Sequence, residues 1–163
     1  MIRVCCLPFC CGVIALAYVF ALANCSKTCN EVGCKSGVSM GINIQSSPGS
    51  LAGQTATVCR NTECYLALLP TTSSASSVSR FTFAGTTQVE GELSALPDQS
   101  TRLLIKWRYM DETQPPSTDR YTVSLTDAAG TSSTLLEKTA TYSKSSPNGD
   151  DCGPICWHAE LSP

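Results

Sequence analysis

The sequence predicts an all-β protein: an immunoglobulin-like or fibronectin-like antiparallel β-sandwich of seven to nine strands, placed after an N-terminal signal helix. Three observations predict it. Apolar residues recur at every second position in one run after another, which is the strand period. Clusters of Gly, Pro, Asn and Asp punctuate those runs. From Cys25 onward, Ser and Thr supply 39 of 139 residues, a composition suited to solvated strands and loops, and no segment carries an adequate helical period.

The chain starts with an address. Met1-Ile2-Arg3 holds the only charge before Lys27, and Val4 to Ala23 is apolar apart from small residues. A short positive region, an apolar run and an Ala21-Leu22-Ala23 end read as a secretory signal peptide over 1–24, cleaved before Cys25, or alternatively after Ala23. The rival is a retained membrane anchor, since about 20 apolar residues span a bilayer. Pro8 and Gly12 interrupt the run and speak against it.

Leu22-Ala23-Asn24-Cys25 looks like a bacterial lipobox, in which the cysteine is lipidated and becomes the mature N-terminus; Asn24 departs from the small residue usual there. Cysteine arithmetic supports it. Of 11 cysteines, Cys5, Cys6, Cys10 and Cys11 leave with the signal peptide and seven remain. With a lipid on Cys25, the six others (Cys29, Cys34, Cys59, Cys64, Cys152 and Cys156) can form three disulfides with nothing left over. The rival leaves Cys25 as a free or intermolecular thiol.

Those six fall into close pairs, yet spacing does not choose among the 15 connectivities six cysteines allow. Local bridges suit hairpins and are worth about 2 kcal/mol each, whereas a long-range link such as Cys34 to Cys152 is worth about 5 kcal/mol. Zinc is the other use of clustered cysteines, but the CxxC signature is missing and an oxidising compartment disfavours thiolates. No cofactor or metal is expected.

Residues 25–37 read as a Cys-containing tether and 38–163 as a single sandwich domain. Along it, Val38, Met40, Ile42 and Ile44 alternate inward. The run Cys64 to Leu69 is nearly continuous and reads as buried on both faces. Alternation returns at Phe81 and Phe83, at Val89, Gly91 and Leu93, and at Leu103, Ile105, Trp107 and Tyr109. It recurs at Tyr121, Val123 and Leu125, and finally at Ile155, Trp157, Ala159 and Leu161. Ser47-Pro48-Gly49, Asp127 to Gly130 and Pro147 to Asp150 are turn punctuation. Thr71 to Ser79 and Asp111 to Asp119 are polar loops. Trp107 lies far from either flanking cysteine cluster, so this is not an antibody-type domain.

The layout resembles a loose set of uncharacterised bacterial surface lipoproteins. These carry a lipidated cysteine, a nearby C-x4-C segment ending in Gly-Cys (here Gly33-Cys34), and then a small disulfide-bearing β-sandwich. The resemblance covers most of the mature chain as architecture alone. It implies a cell-envelope location, with the membrane as partner through Cys25, and no defined activity.

Charge narrows the partners. A net charge of −2 and a pI near 5.3 argue against nucleic acid, which selects a basic footprint. No GxGxxG, P-loop, HExxH or EF-hand pattern occurs. Gly37-Val38-Ser39-Met40-Gly41 matches G-x-S-x-G, but a nucleophile elbow needs a helix after the serine and Pro48 soon follows. His158, the only histidine, reads as an exposed strand residue beside Glu160. A small hydrolase using Ser39 or His158 is the least favoured function. Asn148, Asp150 and Asp151 could offer oxygens to calcium, although Asn-Gly-Asp is a common turn.

Arg102, Lys106 and Arg108 share one strand face: a cationic patch for a polysaccharide or acidic partner, or else a solvated face that discourages edge pairing. Glu90 and Glu92 also point to one side. The favoured function is a non-enzymatic, lipid-anchored binding or structural module facing protein or glycan at the cell surface. The alternative is a freely secreted binder or inhibitor with Arg60-Asn61-Thr62-Glu63 as its contact loop.

Overall fold

The computed structural model describes residues 33–71, 78–109, 115, 118–149 and 152–163. The signal peptide, Cys25, Cys29 and the calcium candidates Asp150 and Asp151 lie outside the described residues.

Two sheets form the described fold, and it is all-β. Five strands and one helical turn come first: β1 (Gly37–Ile44), α1 (Pro48–Leu51), β2 (Thr55–Arg60), β3 (Glu63–Leu68), β4 (Val78–Thr82) and β5 (Val89–Ala95). They are followed by β6 (Thr101–Arg108), β7 (Arg120–Thr126), β8 (Ser132–Thr139), β9 (Ser143–Ser145) and β10 (Cys156–Leu161). The larger sheet has the order β4-β5-β6-β1-β10-β9 and the smaller one β3-β2-β7-β8. β1 is antiparallel to β6 on one side and parallel to β10 on the other, so the two ends of the domain meet at the middle of the larger sheet.

Alternation places the core. Val38, Met40 and Ile42 of β1, Leu103, Ile105 and Trp107 of β6, and Tyr121, Val123 and Leu125 of β7 all turn inward and pack in one cluster. Trp107 is 1% exposed and lies against Tyr65, with ring centroids 5.4 Å apart, and against Tyr121 at 5.9 Å. Those two tyrosines belong to the smaller sheet, so the rings join the layers. On β5 the inward position between Val89 and Leu93 is Gly91. Phe81 faces it across the β4–β5 ladder, and a Cβ at Gly91 would collide with the Phe81 ring. The glycine is what lets the ring lie over the sheet.

The strand count exceeds the expected seven to nine, because the edges lack an apolar signal. β9 is three polar residues held by pairing with β10. β8 buries only Leu136 fully. The reading of Cys64 to Leu69 as buried on both faces is corrected. β3 is an edge strand, with Ala67 inside while Leu66 and Leu68 are 52% and 69% exposed. A continuous apolar run mimics a doubly covered strand, but nothing described lies over this outer face. β10 also departs from strict alternation: Cys156 and Ala159 are buried while Trp157 is only partly so.

The bridges are of both kinds. Cys59–Cys64 closes the β2–β3 hairpin one pair in from the Arg60–Glu63 positions that flank its turn, with Cα atoms 4.1 Å apart. Cys34–Cys156 links residues 122 apart and ties the chain just before β1 to the first residue of β10. Cys152 is buried and disulfide-bonded as well, with its partner outside the described residues. The short Cys152–Cys156 loop is therefore not closed upon itself.

Candidate functional site

The outward face of the larger sheet gathers most of the charged residues singled out from sequence. Alternation along β6 puts Arg102, Leu104, Lys106 and Arg108 on the side opposite the core. Register then brings β5 acids beside them: Glu90 is opposite Lys106, and Glu92 is opposite Leu104. Arg108 Nη2 lies 2.7 Å from Glu90, and Lys106 Nζ lies 3.7 Å from Glu92, which also meets Arg80 at 3.3 Å. These pairs lie at a solvent-facing, half-buried surface and contribute about 0–1 kcal/mol each. They organise the face more than they stabilise it. Arg102 has no ion pair among the described residues.

On the other side of β6 the surface drops to β1, whose outward residues include Gly37, Ser39 and Gly41, and rises again at His158 and Glu160 of β10. Ser39 stands opposite Lys106 and Glu160, and His158 stands opposite Gly37. No hydrogen bond joins Ser39 to His158, and Ser39 lies within a strand, without a following helix at the elbow position. The nucleophile–base contact that covalent catalysis uses is not formed by this pair. Asn148 sits in a turn and donates through Nδ2 to the Gly153 carbonyl at 2.8 Å. Among the described residues, no group of three His, Cys, Asp or Glu side chains is placed to hold a metal ion.

A second polar cluster lies at one end of the sandwich. Asp119, 2% exposed, precedes β7 and accepts from Arg60 at 2.7 and 2.9 Å, from Asn61 Nδ2 at 3.0 Å and from the Tyr142 hydroxyl at 3.2 Å. Tyr142 also bonds Tyr109 at 2.6 Å and Tyr121 at 3.0 Å, and Tyr109 meets Tyr121. The Arg60 guanidinium lies 4.6 Å over the Tyr109 ring. Asn61, at φ 54°, has its backbone N–H bonded to the Arg120 carbonyl and its Oδ1 to the Arg120 N–H. The Arg60–Glu63 loop is thus clamped from beneath: two of its four side chains are committed to Asp119, and Glu63 accepts from the Tyr65 hydroxyl.

Sequence reading missed this cluster because its members come from four separate segments. The available signal was tyrosine at strand ends, where a ring can be buried while its hydroxyl finds a partner.

Burial pushes the Tyr142 phenol far above the usual tyrosine range, helped by its bond to Tyr121, and burial raises Tyr121 too. Both then keep their protons in the folded state at pH values where the unfolded chain releases them. Their contribution to stability is complete below about pH 10 and falls as the pH rises beyond it. Urea unfolding is expected to show a lower midpoint at pH 11 than at pH 8, and Tyr142→Phe should narrow that gap. A gap left unchanged by Tyr142→Phe would contradict this assignment.

No protein-family model matches the chain, no curated protein matches it, and no solved structure matches it. The fold and its bridges define the class plainly: a disulfide-stapled, two-sheet all-β protein.

Proposed function

We propose that this is an exported envelope protein, tethered to a membrane by a lipid on Cys25. Its immunoglobulin-like sandwich serves as a non-enzymatic binding or structural module at the cell surface. One observation carries the reading: all five described cysteines are disulfide-bonded. Disulfides persist in oxidising compartments and are rare where thioredoxin and glutathione act. That supports export and agrees with residues 1–24 acting as a signal peptide. The odd count of seven after that segment supports a lipid on Cys25, because six cysteines then remain to pair. Two facing sheets sharing one core of alternating residues support the immunoglobulin-like architecture.

A specific observation favours a second reading, a freely secreted binder. The Arg60–Glu63 loop is held by Cys59–Cys64 and by Asp119, and a loop ordered in advance lowers the cost of binding.

Intact mass of the exported protein, with and without alkylation, separates the two. The anchored form is expected to begin at Cys25, to carry acyl chains and to take up no alkylating agent. A mass beginning at Asn24 with one alkylated thiol would refute the lipid anchor and leave the secreted binder.

A further inference from the structure

We propose that the outward face of the larger sheet is a binding groove for an extended acidic polysaccharide, one bearing carboxylate or sulfate groups along its length. The proposal goes beyond the anchored-module reading and holds whether the protein is tethered or free.

Continuity comes first. Three hollows of about 340, 240 and 470 Å³ lie in succession along the segment from Cys34, just before β1, to Gly41 within it. The first two share Lys35 and Arg108, and the last two share Ser39 and Lys106. From residue 35 to residue 41 an extended chain covers roughly 20 Å at about 3.3 Å per residue. That suits several units of a linear polymer better than one compact molecule. The trough is low at Ser39 and Gly41, and β6 forms its wall.

Charge comes second. Lys35, Arg108, Lys106 and Arg102 line the three hollows in that order, against a single carboxylate, Glu160. The whole chain has a net charge of −2, so this is a local reversal of sign. Arg108 and Lys106 are steadied from the flank by Glu90 and Glu92, while Lys35 and Arg102 have no ion pair among the described residues. A row of cations in a cleft concentrates anionic ligands and speeds their arrival.

The occupant follows from what the groove lacks. Trp107 faces the core, and Tyr109, the ring at the first hollow, is covered by the Arg60 guanidinium, so the floor at Gly37, Ser39 and Gly41 offers no ring platform for stacking neutral sugars. Its floor, β1, is hydrogen-bonded to β6 and β10 on both sides, so an extended peptide cannot pair with it by strand addition. What remains for recognition is a spaced series of ammonium and guanidinium groups, which match carboxylates or sulfates on a chain.

The test is binding of the exported protein to immobilised dextran sulfate and polygalacturonate, with uncharged dextran as control, at low and physiological salt. Binding to the two acidic polymers and not to dextran is expected. Arg102→Ala with Lys106→Ala should weaken it by about tenfold or more, while Lys138→Ala on the other sheet should not. Gly41→Leu leaves charge unchanged and fills the floor, where a Cβ has only Arg102 Nη2 nearby at 3.7 Å. It should weaken binding comparably. Glu160→Gln should strengthen binding several-fold, an effect that a misfolded variant cannot produce. The proposal is overturned by no binding to either acidic polymer, by equal losses from Lys138→Ala, or by preference for poly-glutamate or duplex DNA. The mass measurement above is independent of these results, so failure of the groove and failure of the anchor are told apart.

Discussion

In a Cys152→Ala background, which removes that residue's own bridge, replacing Cys34 and Cys156 together by alanine is expected to lower the folding free energy by about 5 kcal/mol, against about 2 kcal/mol for Cys59 and Cys64. The difference comes from the unfolded chain. A bridge between residues 122 apart forbids far more open conformations than one spanning 5. Position adds to it. The β1–β10 pairing that the long bridge secures has only four partnered residues, Gly37 to Met40 against His158 to Leu161, and joins the two ends of the domain. Such contacts are the slowest to form, because loop closure must precede any gain from them. Urea unfolding followed by the fluorescence of buried Trp107 measures both variants. Refolding of the Cys34/Cys156 variant should also be slower, whereas the hairpin variant should refold at nearly the wild-type rate. Equal losses from the two double substitutions would refute the entropic account.

The legible part of the fold was its centre. Val38, Met40 and Ile42, then Leu103, Ile105 and Trp107, stand on strands paired on both sides with one face on the core, and there burial imposes period two on the sequence. Edge strands carry no such imprint. Ser143–Ser145 and most of Ser132–Thr139 belong to sheets through backbone bonds, which every residue except proline can make. On β3 the pattern misled in the other direction, since Leu66 and Leu68 are apolar without being covered. The cationic face was visible in Arg102, Lys106 and Arg108. Its pairing with Glu90 and Glu92 depends on the register between β5 and β6, which the turn from Leu96 to Ser100 sets and strand alternation by itself does not specify. The bridge from Cys34 to Cys156 was one of many allowed connectivities, settled only once β1 lay beside β10.

Asp119→Ala is the second large loss expected, about 3 kcal/mol. Removing one partner of a buried ion pair costs about 3–5 kcal/mol, since the survivor stays desolvated without compensation. The lower end applies because Arg60 retains 23% exposure and water can reach part of it. Asp119→Asn should lose less, because a carboxamide can still accept from Asn61 or Tyr142. The decisive comparison is the double variant Arg60→Met with Asp119→Leu. It removes both charges and leaves apolar bulk, so it should be more stable than Asp119→Ala alone. A double variant no better than the single one would mean that the tyrosine hydroxyls, and not the guanidinium, depend on this carboxylate. Amide exchange at Asn61 and Ala140 provides the local readout, since their N–H groups bond to the carbonyls of Arg120 and Asp119. Faster exchange there, with the amides of β1 and β6 unchanged, would place the effect on the clamp beneath the Arg60–Glu63 loop. Uniform acceleration through both sheets would instead mean that Asp119 supports the whole domain and that the loop is rigid without it.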